Sequence, residues 1–179
     1  MAESESLERT RFHSGQLLTA EDFTREQNYF REKVQRHNRT LHGFGVVSGF
    51  EVSTSVGNVT VEPGLALDCQ GNEILVGEAQ LVPVPTSLEA AVAYVNLRYA
   101  EVECGPAVVD GALEASLIQT IVKESFEICL DKENRNRGHR HLRGRWLTCG
   151  EPHPLTIAKL RYSARGWRID RRYRAPAIK

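Results

Sequence analysis

Near the start of the chain, Phe23, Gln27, Phe30, Val34, His37 and Leu41 recur at spacings of 4, 3, 4, 3 and 4. That period places all six on one face of a helix. Thr19 is a good N-cap, Asp22 at the third helical position approaches a capping box, and Leu18 can staple onto Phe23. Glu21 and Asp22 suit the positive end of the helix dipole, and Arg36, His37 and Arg39 suit the negative end. The helix is expected to run to about Thr40 and stop near Gly43. Before it, Met1 to Glu8 reads as a frayed tail, and Arg11 to Leu18 as an extended arm anchored by Phe12 and Leu17. Gln27 and His37 put polar groups into the stripe, as coiled-coil seams do to set register and oligomer state. The stripe is short for an autonomous coiled coil, so a helix lying on its own sheet is the simpler expectation beside it.

From Gly45 the period changes to strands. Val46–Val52 and Asn58–Glu62 are expected to pair through Val56-Gly57-Asn58, with Pro63-Gly64 as a turn. Leu65–Leu67 and Glu73–Val76 flank the hairpin turn Asp68–Asn72, and Gln80–Val84, bearing Pro83 and followed by Pro85, suits an edge. Ser87–Ala90 reads as a helical turn. Ala91–Glu103 alternates through a β-rich run and is the best central strand, with Asn96 as its odd member. A Gly-Pro loop is expected over Cys104–Gly111, a strand over Leu117–Leu130, and a last hairpin from Leu155–Tyr162 and Trp167–Tyr173. No repeat period is visible. The pattern predicts an α+β fold: a long N-terminal amphipathic helix followed by a mostly antiparallel β-sandwich or open barrel. Residues 1–43 form the arm and helix, and 44–179 a β domain with a basic loop over 132–145.

Charge changes this picture. The chain is neutral overall, yet Leu41–Asp131 carries a balance of −11 and Lys132–Lys179 a balance of +11. Such a dipole favours head-to-tail or interlocking contacts between copies, or docking on an acidic partner; local neutralisation within one folded unit is the alternative. No apolar run approaches the roughly 20 residues a membrane helix needs, and the acidic, polar start is unlike a signal peptide. The expectation is a protein in the cytoplasm at synthesis, with no membrane insertion. Cys69, Cys104, Cys129 and Cys149 lie far apart with no CxxC pair, and read as idle or buried thiols.

The conspicuous chemistry is the basic loop. Arg135, Arg137, Arg140, Arg143 and Arg145 are candidates for binding phosphate groups, but no aromatics interleave to stack bases, so nucleic acid is not expected as the main partner. His139, His141, Cys149 and His153, with Cys129 as a further donor, are candidate metal ligands at a spacing that matches no standard zinc module. There is no G-x-S-x-G, P-loop or H-E-x-x-H motif. Glu101 and Glu103 share a strand face, which alone is a weak glycosidase signal. The chain reads as a non-enzyme, with no cofactor expected.

Three segments carry a resemblance. They are Arg11-Phe12-His13-Ser14-Gly15-Gln16-Leu17-Leu18-Thr19-Ala20-Glu21-Asp22-Phe23, then Glu26-Gln27-x-Tyr29-x-Arg31-Glu32-Lys33, then His37-Asn38-Arg39-x-Leu41-His42-Gly43-x-Gly45-Val46-Val47-x-Gly49. Together with Val61 to Ile74, they resemble small proteins of extracellular contractile injection systems, which are phage-tail-like particles. A similar order of arm, Gln-containing helix and Gly-rich β domain occurs in the baseplate-binding regions of phage tail fibres. The resemblance is strong from Arg11 to Val76 and loose beyond, and this chain has fewer loop cysteines than its look-alikes. It implies a structural or attachment subunit, baseplate- or fibre-associated, partnered by other particle subunits and, by analogy with tail fibres, by its own copies as a trimer. Phe12, Leu17, Phe23, Gln27, Phe30, Val34, His37 and Leu41 are the interface expected. The alternative is a metal- or nucleic-acid-binding accessory module using residues 132–153.

Overall fold

The computed structural model describes residues 6–84, 90–108, 117–136 and 152–178, and within them the side chains of all but 106–108 and 117–118. Helix α1 (Ala20–His37) starts at Thr19, whose backbone N–H and hydroxyl both donate to the Asp22 carboxylate at 3.0 Å. The Thr19 amide bond leads in holding that carboxyl below its ordinary pKa. The helix passes into a π-helical turn (Asn38–His42) and ends at Gly43, whose N–H closes on the Asn38 carbonyl at 3.0 Å.

Ten strands follow: β1 (Gly45–Gly49), β2 (Val52–Ser55), β3 (Asn58–Val61), β4 (Gly64–Leu67), β5 (Glu73–Val76), β6 (Gln80–Pro83), β7 (Val92–Val108), β8 (Leu117–Asp131), β9 (Leu155–Ser163) and β10 (Gly166–Ile169). The fold is mixed α and β with antiparallel sheets, in the orders β1-β4-β5, β2-β3-β6 and β10-β9-β7-β8. The first two sheets are halves of one bent hairpin. Gly49 pairs with Gly64 at the end of one sheet and Val52 with Val61 at the start of the other. Between them, the Phe50 N–H donates to the Pro63 carbonyl and the Glu62 N–H to the Glu51 carbonyl. The corner requires Phe50 at φ 59°, a conformation a bulky side chain rarely takes. Burial of its ring over Gly64 offsets that strain: a Cβ on Gly64 would lie 2.7 Å from the ring. The expected single strand Val46–Val52 is therefore two strands in two sheets.

All three sheets feed one core, in which Val59, Val61, Ile74, Val76, Val95, Leu97, Leu155 and Leu160 are essentially inaccessible. The C-terminal segment straps across it. The Val46 N–H donates to the Pro176 carbonyl at 2.8 Å, and the Ile178 N–H to the Val46 carbonyl at 2.9 Å, tying the last residues to β1. The expected strand Trp167–Tyr173 stops at Ile169 because Asp170 turns the chain: its carboxylate accepts from Arg161 at 2.8 Å and from the Arg172 N–H at 3.1 Å, with Lys159 at 3.5 Å.

A polar knot sits where β7 bulges at Val95/Asn96. Asn96 and Thr156 are both 0% exposed, and the Thr156 hydroxyl donates to Asn96 Oδ1 at 2.6 Å while accepting from the Arg135 N–H at 2.8 Å. Asn136 accepts from the Thr156 N–H at 2.9 Å and donates to its carbonyl at 2.7 Å, with the Tyr173 hydroxyl beside it. Asn96, Thr156 and Asn136 thus find partners in one another, as low-dielectric surroundings demand. The Gly-Pro stretch from Cys104, expected as a loop, instead continues β7 in unbroken register: Cys104 pairs with Ile121 and Pro106 with Gln119, while Gly105 between them takes φ 70° and its carbonyl accepts from the Thr120 hydroxyl at 2.7 Å. The helical turn expected at Ser87–Ala90 falls almost wholly on residues 85–89, outside the described residues.

Two outcomes test this account. Thr156→Val keeps the shape but leaves buried Asn96 Oδ1 and the Arg135 N–H without this partner, and should destabilise the fold by about 1–3 kcal/mol, read as a lowered urea midpoint. A change within experimental error would remove the knot from the list of structural elements. Arg161 first, then the Arg172 amide, holds the Asp170 carboxyl below its usual range. A depressed carboxylate stabilises above its unfolded pKa and loses that contribution as pH falls through the folded value. The stability gap between the native chain and Asp170→Asn should therefore be constant from about pH 7 to 5 and shrink below about pH 4.

Candidate functional site

The turn between β4 and β5 is organised by one carboxylate. Asp68 accepts from the Gln70 N–H at 2.9 Å, the Asn72 N–H at 2.8 Å and the Asn72 side-chain amide at 2.8 Å. The turn so formed is a socket for the C-terminal end of α1. Gln35 donates to Asn72 Oδ1 at 2.6 Å, buried Asn38 to the Gly71 carbonyl at 3.0 Å, and Arg39 to the Gln70 carbonyl at 3.2 Å. The fit is so close that a Cβ on Gly71, at φ 91°, would lie 2.1 Å from the Gln35 carbonyl oxygen. Further along the helix, Arg31 approaches Glu101 on β7 at 3.7 Å.

No residue of α1 is buried. Phe12, Leu17, Phe23, Phe30, Val34 and Leu41 are between 50% and 87% exposed, and Gln27 and His37 are exposed with them. The expectation that the helix lies with its apolar face on its own sheet does not hold. The groups that bond to the body are Gln35, Asn38 and Arg39, with Arg31 beside Glu101, so the stripe is left exposed, with Phe30 and Val34 along a cleft. Between α1 and β7–β8 runs an open cleft of about 490 Å³, with Phe30 and Val34 on one wall, Tyr99 and Glu124 on the other, and Gly71 at its floor. Partial burial, then a hydrogen bond to Glu101 at 2.9 Å, raises the Tyr99 pKa, so its hydroxyl keeps its proton. The arm is tethered only lightly: the Thr10 hydroxyl donates to the Asp22 carbonyl at 3.0 Å, and His13 and Gln16 close a small turn.

The other expected residues are scattered. Arg135 is neutralised by Asp131 at 3.1 Å and Glu133 at 2.6 Å, an arrangement for fixing the chain after β8 more than for holding a free anion. Arg137, Arg140, Arg143, Arg145, His139, His141 and Cys149 lie outside the described residues. His153 sits half-buried beside the Phe44 ring. Burial alone would lower its pKa, but a hydrogen bond with the Cys69 side chain and the Pro154 carbonyl outweigh it, and the net direction is upward. Cys129 is exposed among Asp131, Arg135, Glu127 and Arg98. Among the described residues no three metal-binding side chains gather. Glu101 and Glu103 are exposed on β7. No helix among the described residues is long and apolar enough to cross a membrane.

No protein-family model matches the sequence, and no curated protein matches it. Solved structures do match. The baseplate complex from the type VI secretion system contains a chain with TM-score 0.61 at 12% identity, covering 96% of this chain and 42% of the other. The TssK-TssF-TssG baseplate subcomplex gives TM-score 0.59 at 13% identity, over 96% and 62%. The crystal structure of TssK gives 0.56 at 12%, over 96% and 44%.

This chain shares a fold with TssK.

It spans 42% to 62% of the length of these matched chains. The likeness extends over nearly the whole of this chain, helix and strands together, so arm, helix and β body recur as one architecture in those larger proteins. The socket was not foreseen from the residues, although its ingredients, Asp68 before a Gly-Asn turn and Asn38 near the helix end, were visible. Gly71→Ala should therefore detach the helix end without harming the core. Amide exchange should quicken across α1 while β9 stays protected, at a cost of about 1–3 kcal/mol. Equal quickening in both would show that the helix is not separately held.

Proposed function

We propose that this chain is a structural subunit of a contractile injection particle, attached at or near its baseplate through the arm and the exposed apolar face of α1, and without a catalytic role. One observation carries the reading: an apolar stripe, partly lining an open cleft, is left exposed by a helix whose hydrogen bonds to the body are made by polar side chains. An exposed side chain such as Phe30 gains at most roughly 1.5–3 kcal/mol on full burial. Several such side chains in a row make a partner surface of useful strength. The fold shared with baseplate proteins of the type VI secretion system supports the class of partner, as do the segments from Arg11 to Val76. The chain is made in the cytoplasm and joins the particle there. Copies gather as a trimer, with Gln27 and His37 in the contact face to set register.

The test uses the doubly substituted chain Phe30→Ser with Val34→Ser. Since neither side chain is buried, each change should alter the stability of the isolated chain by no more than about 0.5 kcal/mol. The doubly substituted chain should fail to co-purify with neighbouring baseplate subunits and fail to sediment with assembled particles. Normal incorporation of this variant would overturn the reading, as would turnover of a small substrate by the native chain.

A further inference from the structure

Tyr99 and Phe126 at the base of the β7–β8 ribbon pack against the core, but the stretch beyond them is largely exposed. β9 pairs with β7 only from Val92 to Leu97; from Arg98 outward β7 has β8 alone. The remaining stretch reaches about 30 Å at roughly 3.3 Å per residue, and a two-stranded ribbon in water is marginal without a further layer. One face carries Tyr99, Glu101 and Glu103 opposite Phe126, Glu124 and Val122. Glu101 and Glu124 are direct cross-strand partners, a like-charge pairing that destabilises a ladder. Arg31 at 3.7 Å answers Glu101, while Glu103 and Glu124 form no ion pair among the described residues. Val122 on this face is 58% exposed.

The opposite pole lies at the C-terminal hairpin. Arg161 and Lys159 share Asp170, but Arg165, Arg168, Arg171 and Arg172 are exposed and have no carboxylate within 4.0 Å among the described residues. Arg168 also stands directly across from Arg161 on β9–β10, a second like-charge pairing. Among the described residues each pole thus carries charge without an ion-pair partner, in opposite senses.

We propose that the acidic ribbon face docks on the arginine segment 165–172 of a second copy of this chain, head to tail. The inference deepens the self-association in the reading above and rests on it. A second copy fits because the chain is neutral while its two regions carry −11 and +11: a sister chain offers both poles in matched amount. Guanidinium groups meeting Glu103 and Glu124 form charge-assisted, two-pronged hydrogen bonds, and Val122 is covered in the same contact. The contact joins two different surfaces, so its repetition closes a ring when the rotation between copies closes and otherwise runs on as an open filament; the trimer of the reading above is the closed form. Nucleic acid, by contrast, would engage the arginines and be repelled by the ribbon.

The isolated chain should self-associate at low salt and fall to a monomer at high salt, measured by sedimentation. Glu103→Arg with Glu124→Arg should weaken association by roughly tenfold or more, and so should Arg168→Glu with Arg172→Glu. A chain carrying all four reversals restores complementarity and should associate again. Circular dichroism confirms that each variant is folded. A native monomer at low salt, indifference to either reversal, or a folded four-fold variant that stays monomeric would each overturn the proposal. So would arginine reversals that abolish DNA binding and leave association unchanged. These measurements need no baseplate subunit, so the contact can fail while particle attachment through α1 stands, and the reverse.

Discussion

A helix can be joined to a β body through its apolar face or through its polar groups, and in this protein the second choice governs the rest. Three side chains near the end of α1 bond to the turn that Asp68 holds in shape. Each such bond contributes on the order of 1 kcal/mol, enough to orient a helix whose capped N-terminus already favours it. Hydrogen bonds are directional, so they set the angle of the helix without consuming its hydrophobic side. Phe23, Phe30, Val34 and Leu41 thereby remain exposed.

The body that carries the socket is stiff for separate reasons. The β1–β2 and β3–β4 strands form one ladder folded at Phe50 and Pro63, so a single hairpin contributes to two sheets. The strap from Asp170 to Ile178 binds the third sheet to β1. The Asn96–Thr156 knot fixes the chain leaving β8 against the start of β9. Polar groups do this work inside the core because each finds a partner there.

The sequence announced the helix and its cap well, because the 3.6-residue period and the Thr19–Asp22 pair are local signals. The hairpin around Asp68–Asn72 was equally legible from its turn residues. What stayed hidden depends on contacts distant in sequence. Periodicity identifies which face of α1 is apolar, but the choice between own sheet and open solvent was made by Asn38 meeting Gly71, 33 residues away. The break at Phe50 was masked because a β-rich run reads the same whether straight or folded at a corner. Gly105-Pro106 looked like a loop, yet β8 opposite it keeps the ladder going in the same register. Asn96 stood out as a polar residue in an apolar strand, but its partner Thr156 lies 60 residues on.

Fastening a rod at one end has a mechanical consequence. The 18 residues of α1 extend for roughly 27 Å at 1.5 Å per residue, so a tilt of about 10° at the socket would swing the Thr19 end through about 5 Å. The Asp68 turn therefore acts as a pivot, and what grips the far end of the lever can exert torque on the β body through a handful of hydrogen bonds.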